Sequence, residues 1–178
     1  MKAVMSVLLV AAAWLHAGNF TLTSSDLQGQ LTMKEVFNGF GCSGENVSPA
    51  LQWANAPKET KSFAVTVYDP DAPTGSGWWH WVVFNLPATV TALPSGAGNG
   101  AKGLMPKAAV QSMTSFGQAG FGGACPPVGD RPHRYVFTVY ALDVAALDLD
   151  VSAMPALVGY MLNAHAIAKA SLMAYYGR

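Results

Sequence analysis

The chain has 178 residues, with ten Lys plus Arg against ten Asp plus Glu and a formal net charge of zero. That balance supplies no broad positive field for a nucleic-acid backbone and argues against nucleic-acid binding. Charge is sparse at 11%, while 18 Gly, 11 Pro and 11% aromatic residues point to a loop-rich β or mixed fold rather than a helical bundle.

In chain order, Lys2 supplies a positive start and Val4 to Leu15 an almost unbroken apolar run that ends at Leu15-His16-Ala17. A positive start, a short apolar stretch and a small boundary residue are the marks of a secretory signal peptide. The run is too short to cross a bilayer, which takes about 20 apolar residues. Residues 1–17 are therefore read as a leader, and residues 18–178 as one domain. Its place is the periplasm or the extracellular medium, with no stable membrane insertion. At this length a chain can bury its own core without a metal.

Phe20 and Leu22 read as an opening strand, and 37–49 as loop. Residues 50–53 are short and extended, and 57–61 form a turn. The clearest strand is Ser62 to Tyr68, apolar on both faces, as a covered central strand requires. Asp69-Pro70-Asp71-Ala72-Pro73 stops it, because proline cannot continue a ladder. Further strands are expected at Trp79–Asn85 and Arg134–Tyr140, with a short one at Ala109–Met113 inside a Gly/Pro-rich stretch. Over Ala156–Tyr175 the apolar positions recur at three- and four-residue steps, which predicts a terminal helix.

Cys42 and Cys125 lie in Gly-rich, turn-like sequence 83 positions apart. Export permits a disulfide between them. Two buried free thiols and a reactive or metal-bound cysteine are the alternatives, and the spacing has no metal-site signature.

His80 stands in Trp78-Trp79-His80-Trp81 and His133 opens His133-Arg134-Tyr135, while Asp69 and Asp71 flank Pro70. Three strand ends thus bring two imidazoles, two carboxylates and a phenol beside proline turns, whose fixed φ lowers the entropy cost of an ordered site. Adjacent strands would gather these groups into one concavity.

The pattern resembles the phosphatidylethanolamine-binding protein (Raf kinase inhibitor protein) family, in its bacterial periplasmic branch. The resemblance rests on Asn46-Val47-Ser48-Pro49-Ala50-Leu51-Gln52-Trp53, on Asp69-Pro70-Asp71-Ala72-Pro73 with Trp79-His80-Trp81, and on Gly122-Gly123-Ala124-Cys125-Pro126-Pro127 leading to His133-Arg134-Tyr135. It implies a mainly β fold: a central antiparallel sheet packed on a smaller sheet, with peripheral helices and a C-terminal helix. It implies a small cavity for phosphate-like anions and phospholipid head groups, lined by Asp69, His80, Pro126, His133 and Tyr135, with Asp71 supporting the wall. It further implies a paired Cys42 and Cys125 and a cis peptide before Pro73. The expected function is binding of a small phosphorylated or zwitterionic ligand, without turnover and without a cofactor. The two histidines are expected at the cavity rim, their protonation near neutral pH tightening anion binding. A pocket-dependent modulator of a protein partner is the alternative, and a weak phosphoester hydrolase the second.

Three other readings carry less. Asp69, Asp71 and His80 share no standard metal-ligand spacing. Ser62 and Ser76 lack a nucleophile elbow. Gly98-Asn99-Gly100-Ala101-Lys102-Gly103 matches G-x-G-x-x-G but has Pro94 before it and Pro106 after it, so it reads as loop. His165, among alanines on the expected terminal helix, is read as structural.

Overall fold

The computed structural model describes residues 18–178, so the expected leader lies outside the described residues. The first strands are β1 (Thr21–Thr23), β2 (Asn38–Gly39), β3 (Cys42–Ser43), β4 (Leu51–Ala54) and β5 (Ser62–Asp69). They are followed by β6 (Trp78–Pro87), β7 (Ala92–Leu93), β8 (Val110–Gln111), β9 (His133–Leu142), α1 (Pro155–His165) and β10 (Ala166–Tyr176). The main sheet runs β10-β9-β5-β6-β8, all antiparallel, and packs on a smaller sheet ordered β1-β4-β7. β5 lies at its centre and is buried on both faces except at Tyr68, as its uniformly apolar sequence requires.

One face of β5 and its neighbours meets the smaller sheet through Val65, Val67, Trp81, Val83, Phe137 and Val139, against Leu51 and Trp53. The other face is covered by α1, whose Val158 and Leu162 pack with Ala64, Val82, Phe84 and Leu142. Between residues 37 and 49, the expected loop contains a small hairpin. Phe40 and Gly41, at φ 54° and 80°, form the turn between β2 and β3, the positive-φ pair that two-residue hairpins favour. The G-x-G-x-x-G segment is loop with a single 3₁₀ turn at Gly100–Lys102.

The terminal segment departs from its sequence pattern. The helix ends at His165, and Ala166–Tyr176 pairs with β9 along the whole of that strand. The apolar steps of this segment satisfy two periods at once. Ala170 and Ala174, with the half-buried Ala168, Leu172 and Tyr176, face inward, while Ile167, Lys169, Ser171, Met173 and Tyr175 are exposed. Alanine favours a helix locally, but the free ladder of β9 decides the outcome, since strand preference follows neighbours more than residue type. A second departure is at Pro73: no cis peptide occurs among the described residues.

Candidate functional site

Antiparallel pairing explains why three distant segments meet. β6 and β9 both run opposite to β5, so the end of β5 lies beside the starts of both neighbours. Asp69, His80 and His133 consequently share one end of the sheet. A bulge in β6 refines this placement. Val67 pairs with Trp81 but Tyr68 pairs with Trp79, leaving His80 as the extra residue. Strict alternation would turn His80 away from the inward face that holds Trp81. The bulge re-aims it toward the cavity, as bulges beside functional sites commonly do.

The resulting cavity has a volume of about 180 Å³. Asp69, His80, Pro126, His133 and Tyr135 line it, together with Phe40, Trp78, Phe116, Cys125, Pro127 and the Ala72–Thr74 turn. Phe116 is its main aromatic wall, with ring centroids 5.4 Å from His80, 5.4 Å from Trp78 and 5.8 Å from Phe40. Sequence reading missed Phe40, Trp78 and Phe116. Of these, only Trp78 carried a signal, by adjoining His80; Phe116 lies in the featureless Gly/Pro-rich stretch.

His133 and Asp69 form a buried pair, with Nδ1 2.8 Å from Oδ2. The other Asp69 oxygen accepts from the backbone N–H of Asp71 at 2.8 Å and of Ala72 at 3.1 Å. Asp69 thus has its acceptor capacity directed at the protein, and orients the imidazole rather than presenting charge to a ligand. His133 is only 2% exposed, so it is a buried member of this network and not the rim residue expected from sequence.

His80 is also buried. Its Nδ1 is 2.7 Å from the Gly122 carbonyl, and its own carbonyl accepts from the Gly122 N–H at 2.8 Å. A carbonyl only accepts, so Nδ1 carries the proton and Nε2 is left as an acceptor. Burial pushes the His80 pKa down to about 4, against the smaller raising effect of the Gly122 carbonyl. His80 is therefore neutral at physiological pH, which corrects the expectation that its protonation near neutral pH would draw an anion. Asn46 supports this partner: its Oδ1 accepts from Gly123 N–H at 2.7 Å, and its Nδ2 donates to the Phe121 carbonyl. Gly123 admits no side chain, because a Cβ there would collide with the Glu35 carbonyl.

Tyr135 is 1% exposed and its buried hydroxyl has no hydrogen-bond partner among the described residues. Burial, and then the nearby Asp69 charge, push its ionisation well above the ordinary phenol range. It stays a hydroxyl, able to donate.

Asp71, expected among the ligand-binding residues, does not line the cavity. Its carboxylate accepts from Arg134 Nε and Nη2, both at 2.8 Å, from the Arg134 N–H at 2.9 Å and from Arg131 at 3.1 Å. The Arg134 hydrogen bonds hold it well below the usual carboxylate range. Alternation along β9 places Arg134 opposite His133 and Tyr135, and Asp71 follows its partner. The role left to it is that of a brace between the Pro70 turn and β9.

Cys42 and Cys125 are joined, with an S–S distance of 2.08 Å, and Cys125 is itself part of the cavity wall. Arg178 ties the same wall together, donating to the carbonyls of Pro126, Gly41 and Phe40. No group of three His, Cys, Asp or Glu side chains suited to a metal occurs among the described residues, and no described helix is long and apolar enough to cross a membrane. His165 closes α1 and contacts Asp143 at 3.0 Å, away from the cavity.

Residues 23–177 match the family model described as phosphatidylethanolamine-binding protein. The protein YbcL of Escherichia coli is 54% identical over 175 residues, covering 97% of this chain and 96% of the relative. YbhB of the same organism is 51% identical over 157 residues, covering 87% and 98%. The crystal structure of E. coli YbcL, described as a new member of the mammalian PEBP family, superposes with a TM-score of 0.88 at 55% identity, covering 90% of this chain and 99% of that one. That of the homologue CT736 from Chlamydia trachomatis gives 0.74 at 32%, with 90% and 98% covered.

Proposed function

The chain belongs to the phosphatidylethanolamine-binding protein family, and on that premise we propose that it is an exported binding protein for a small phosphorylated, zwitterionic head group. The observation that carries the reading is the buried hydroxyl of Tyr135, without a partner among the described residues, on a side chain that lines the cavity together with His80. An unpaired buried hydroxyl costs about 1–3 kcal/mol, and a phosphoryl oxygen accepting from it would recover that cost. Nε2 of His80 asks for the opposite, a donor. Few groups supply both. A singly protonated phosphate does, and so does a phosphate carrying an ammonium arm, which the aromatic wall of Trp78 and Phe116 could also take by cation–π attraction. A fully ionised anion supplies only acceptors.

Size agrees with this choice. A cavity of about 180 Å³ is below the range of roughly 300–1,000 Å³ typical of drug-sized ligands, and suits a head group rather than a whole lipid. Export is supported by the leader pattern at residues 1–17 and by a cysteine pair of the kind that persists in oxidising compartments. N-terminal sequencing of protein from the cell envelope should begin near Gly18, and a start at Met1 contradicts export.

Calorimetric titration with phosphoethanolamine, phosphocholine, inorganic phosphate and sulfate tests the ligand reading. Phosphoethanolamine should bind more tightly than phosphocholine, whose quaternary nitrogen has no proton to donate, and sulfate should bind least. Equal affinities across the four, or no binding of any, would overturn it.

A further inference from the structure

We propose that Asp130 is an internal competitor for the ligand at His133, and so determines which charge the cavity accepts. This rests on the head-group reading given above. His133 has two ring nitrogens. Nδ1 is held by Asp69 at 2.8 Å, inside a buried and fully engaged network. Nε2 is then the one nitrogen through which His133 can meet a ligand, donating to a phosphoryl oxygen when the ring carries both protons. It already faces Oδ2 of Asp130 at 3.4 Å. That carboxylate, on a loop beside the cavity and not among its lining residues, stands against the nitrogen that a phosphoryl oxygen would approach.

The two acids differ in how firmly they are held. The Asp69 side chain is 4% exposed and accepts three hydrogen bonds. The Asp130 side chain is 41% exposed and accepts no hydrogen bond among the described residues, its approach to Nε2 being a charge contact alone. Its contact is long, and its backbone is tethered separately, since Gly129 N–H donates to the Arg178 carbonyl and Asp130 N–H contacts the Pro127 carbonyl. Rotation of the Asp130 side chain alone can therefore vacate Nε2 without moving the loop. The adjacent arginines do not neutralise it, because Arg131 and Arg134 both pair with Asp71.

A dianionic ligand must displace this carboxylate and then lie beside it as a like charge. A ligand carrying an ammonium group meets the same carboxylate as a counter-ion. Asp130 therefore handicaps bare phosphate relative to a zwitterion.

The test titrates inorganic phosphate and phosphoethanolamine into wild type, Asp130→Asn and Asp148→Asn, the last removing a remote exposed acid as a control for net charge. Asp130→Asn should tighten inorganic phosphate roughly fivefold, as loss of one like charge at a half-exposed position gives. It should leave phosphoethanolamine unchanged or weaker, and Asp148→Asn should change neither. Imidazole nitrogen NMR of the ligand-free proteins should show the His133 Nε2 resonance moving in Asp130→Asn while those of His80 stay. Wild-type binding that Asp130→Asn leaves unaltered for both ligands overturns the competitor alone. Equal tightening by both Asn variants also overturns it, as a net-charge effect. Binding of neither ligand by any variant overturns the head-group reading, and the competitor with it.

Discussion

Asp69 at the end of β5 and His133 at the start of β9 stand 64 residues apart in sequence and 2.8 Å apart in space. The pair is buried, and its geometry ties the ligand cavity to the stability of the sheet. Removing the imidazole would leave a buried carboxylate short of a partner, so His133 is a poor position for separating binding from folding. Tyr135, whose hydroxyl has no partner among the described residues, is a better one.

Tyr135→Phe should weaken phosphoethanolamine binding by roughly 10- to 150-fold, the worth of one hydrogen bond to a charged acceptor. The same change should leave stability unaltered or raise it by up to about 3 kcal/mol, because the lost hydroxyl has no partner among the described residues. Titration paired with urea unfolding checks both. A destabilised variant with unchanged affinity contradicts the assigned role.

Acid should destabilise the protein through His80 in a defined window. Its folded pKa, about 4, lies below the unfolded value of about 6.5, so the unfolded chain takes up the proton first. The contribution is fully present above pH 6.5, declines as pH falls toward 4, and changes no further below that. Its size is on the order of 3 kcal/mol. Urea unfolding of wild type and His80→Gln between pH 7 and 4 measures it, and the variant should lose that part of the slope.

Asp71→Ala should cost about 1–3 kcal/mol, since it strips partners from Arg134 and Arg131, both substantially exposed. Because the folded pKa of Asp71 is depressed, its contribution is present above pH 4 and lost as pH falls below it. That separates its window from that of His80. Affinity for phosphoethanolamine should stay within about twofold, as expected of a brace outside the cavity. A large loss of affinity at unchanged stability would return Asp71 to the binding site.

Reduction of the Cys42–Cys125 bond closes off a different support. The bond spans 83 residues, and loops of that length give about 4.5 kcal/mol in the chain-entropy account. Cys42→Ser with Cys125→Ser should lower stability by about 2–5 kcal/mol and also weaken ligand binding, because Cys125, Pro126 and Phe40 all line the cavity. Unfolding and titration of the double variant, under conditions where it remains folded, measure the two effects separately.

Local residue pattern is enough to place the central strand, the turn that ends it and most of the polar cavity residues. Ser62–Asp69 is apolar on both faces and stops at Pro70, and only a covered central strand fits that pattern. Asp69, His80 and His133 were legible because each stands at a strand end beside proline or tryptophan. Contacts between distant segments settle the rest. The terminal eleven residues could satisfy a helical or a strand period, and the open ladder of β9 chose the strand. Asp71 carries the same side chain as Asp69 two positions away, yet the arginines it meets turn it out of the cavity. His80 faces inward only because β6 holds one residue more than β5 can pair, and burial there keeps it neutral. Phe116 becomes a wall only when its loop folds back over the strand ends. Pairing register, burial and partner choice are relations between distant segments, and no local pattern of residues contains them.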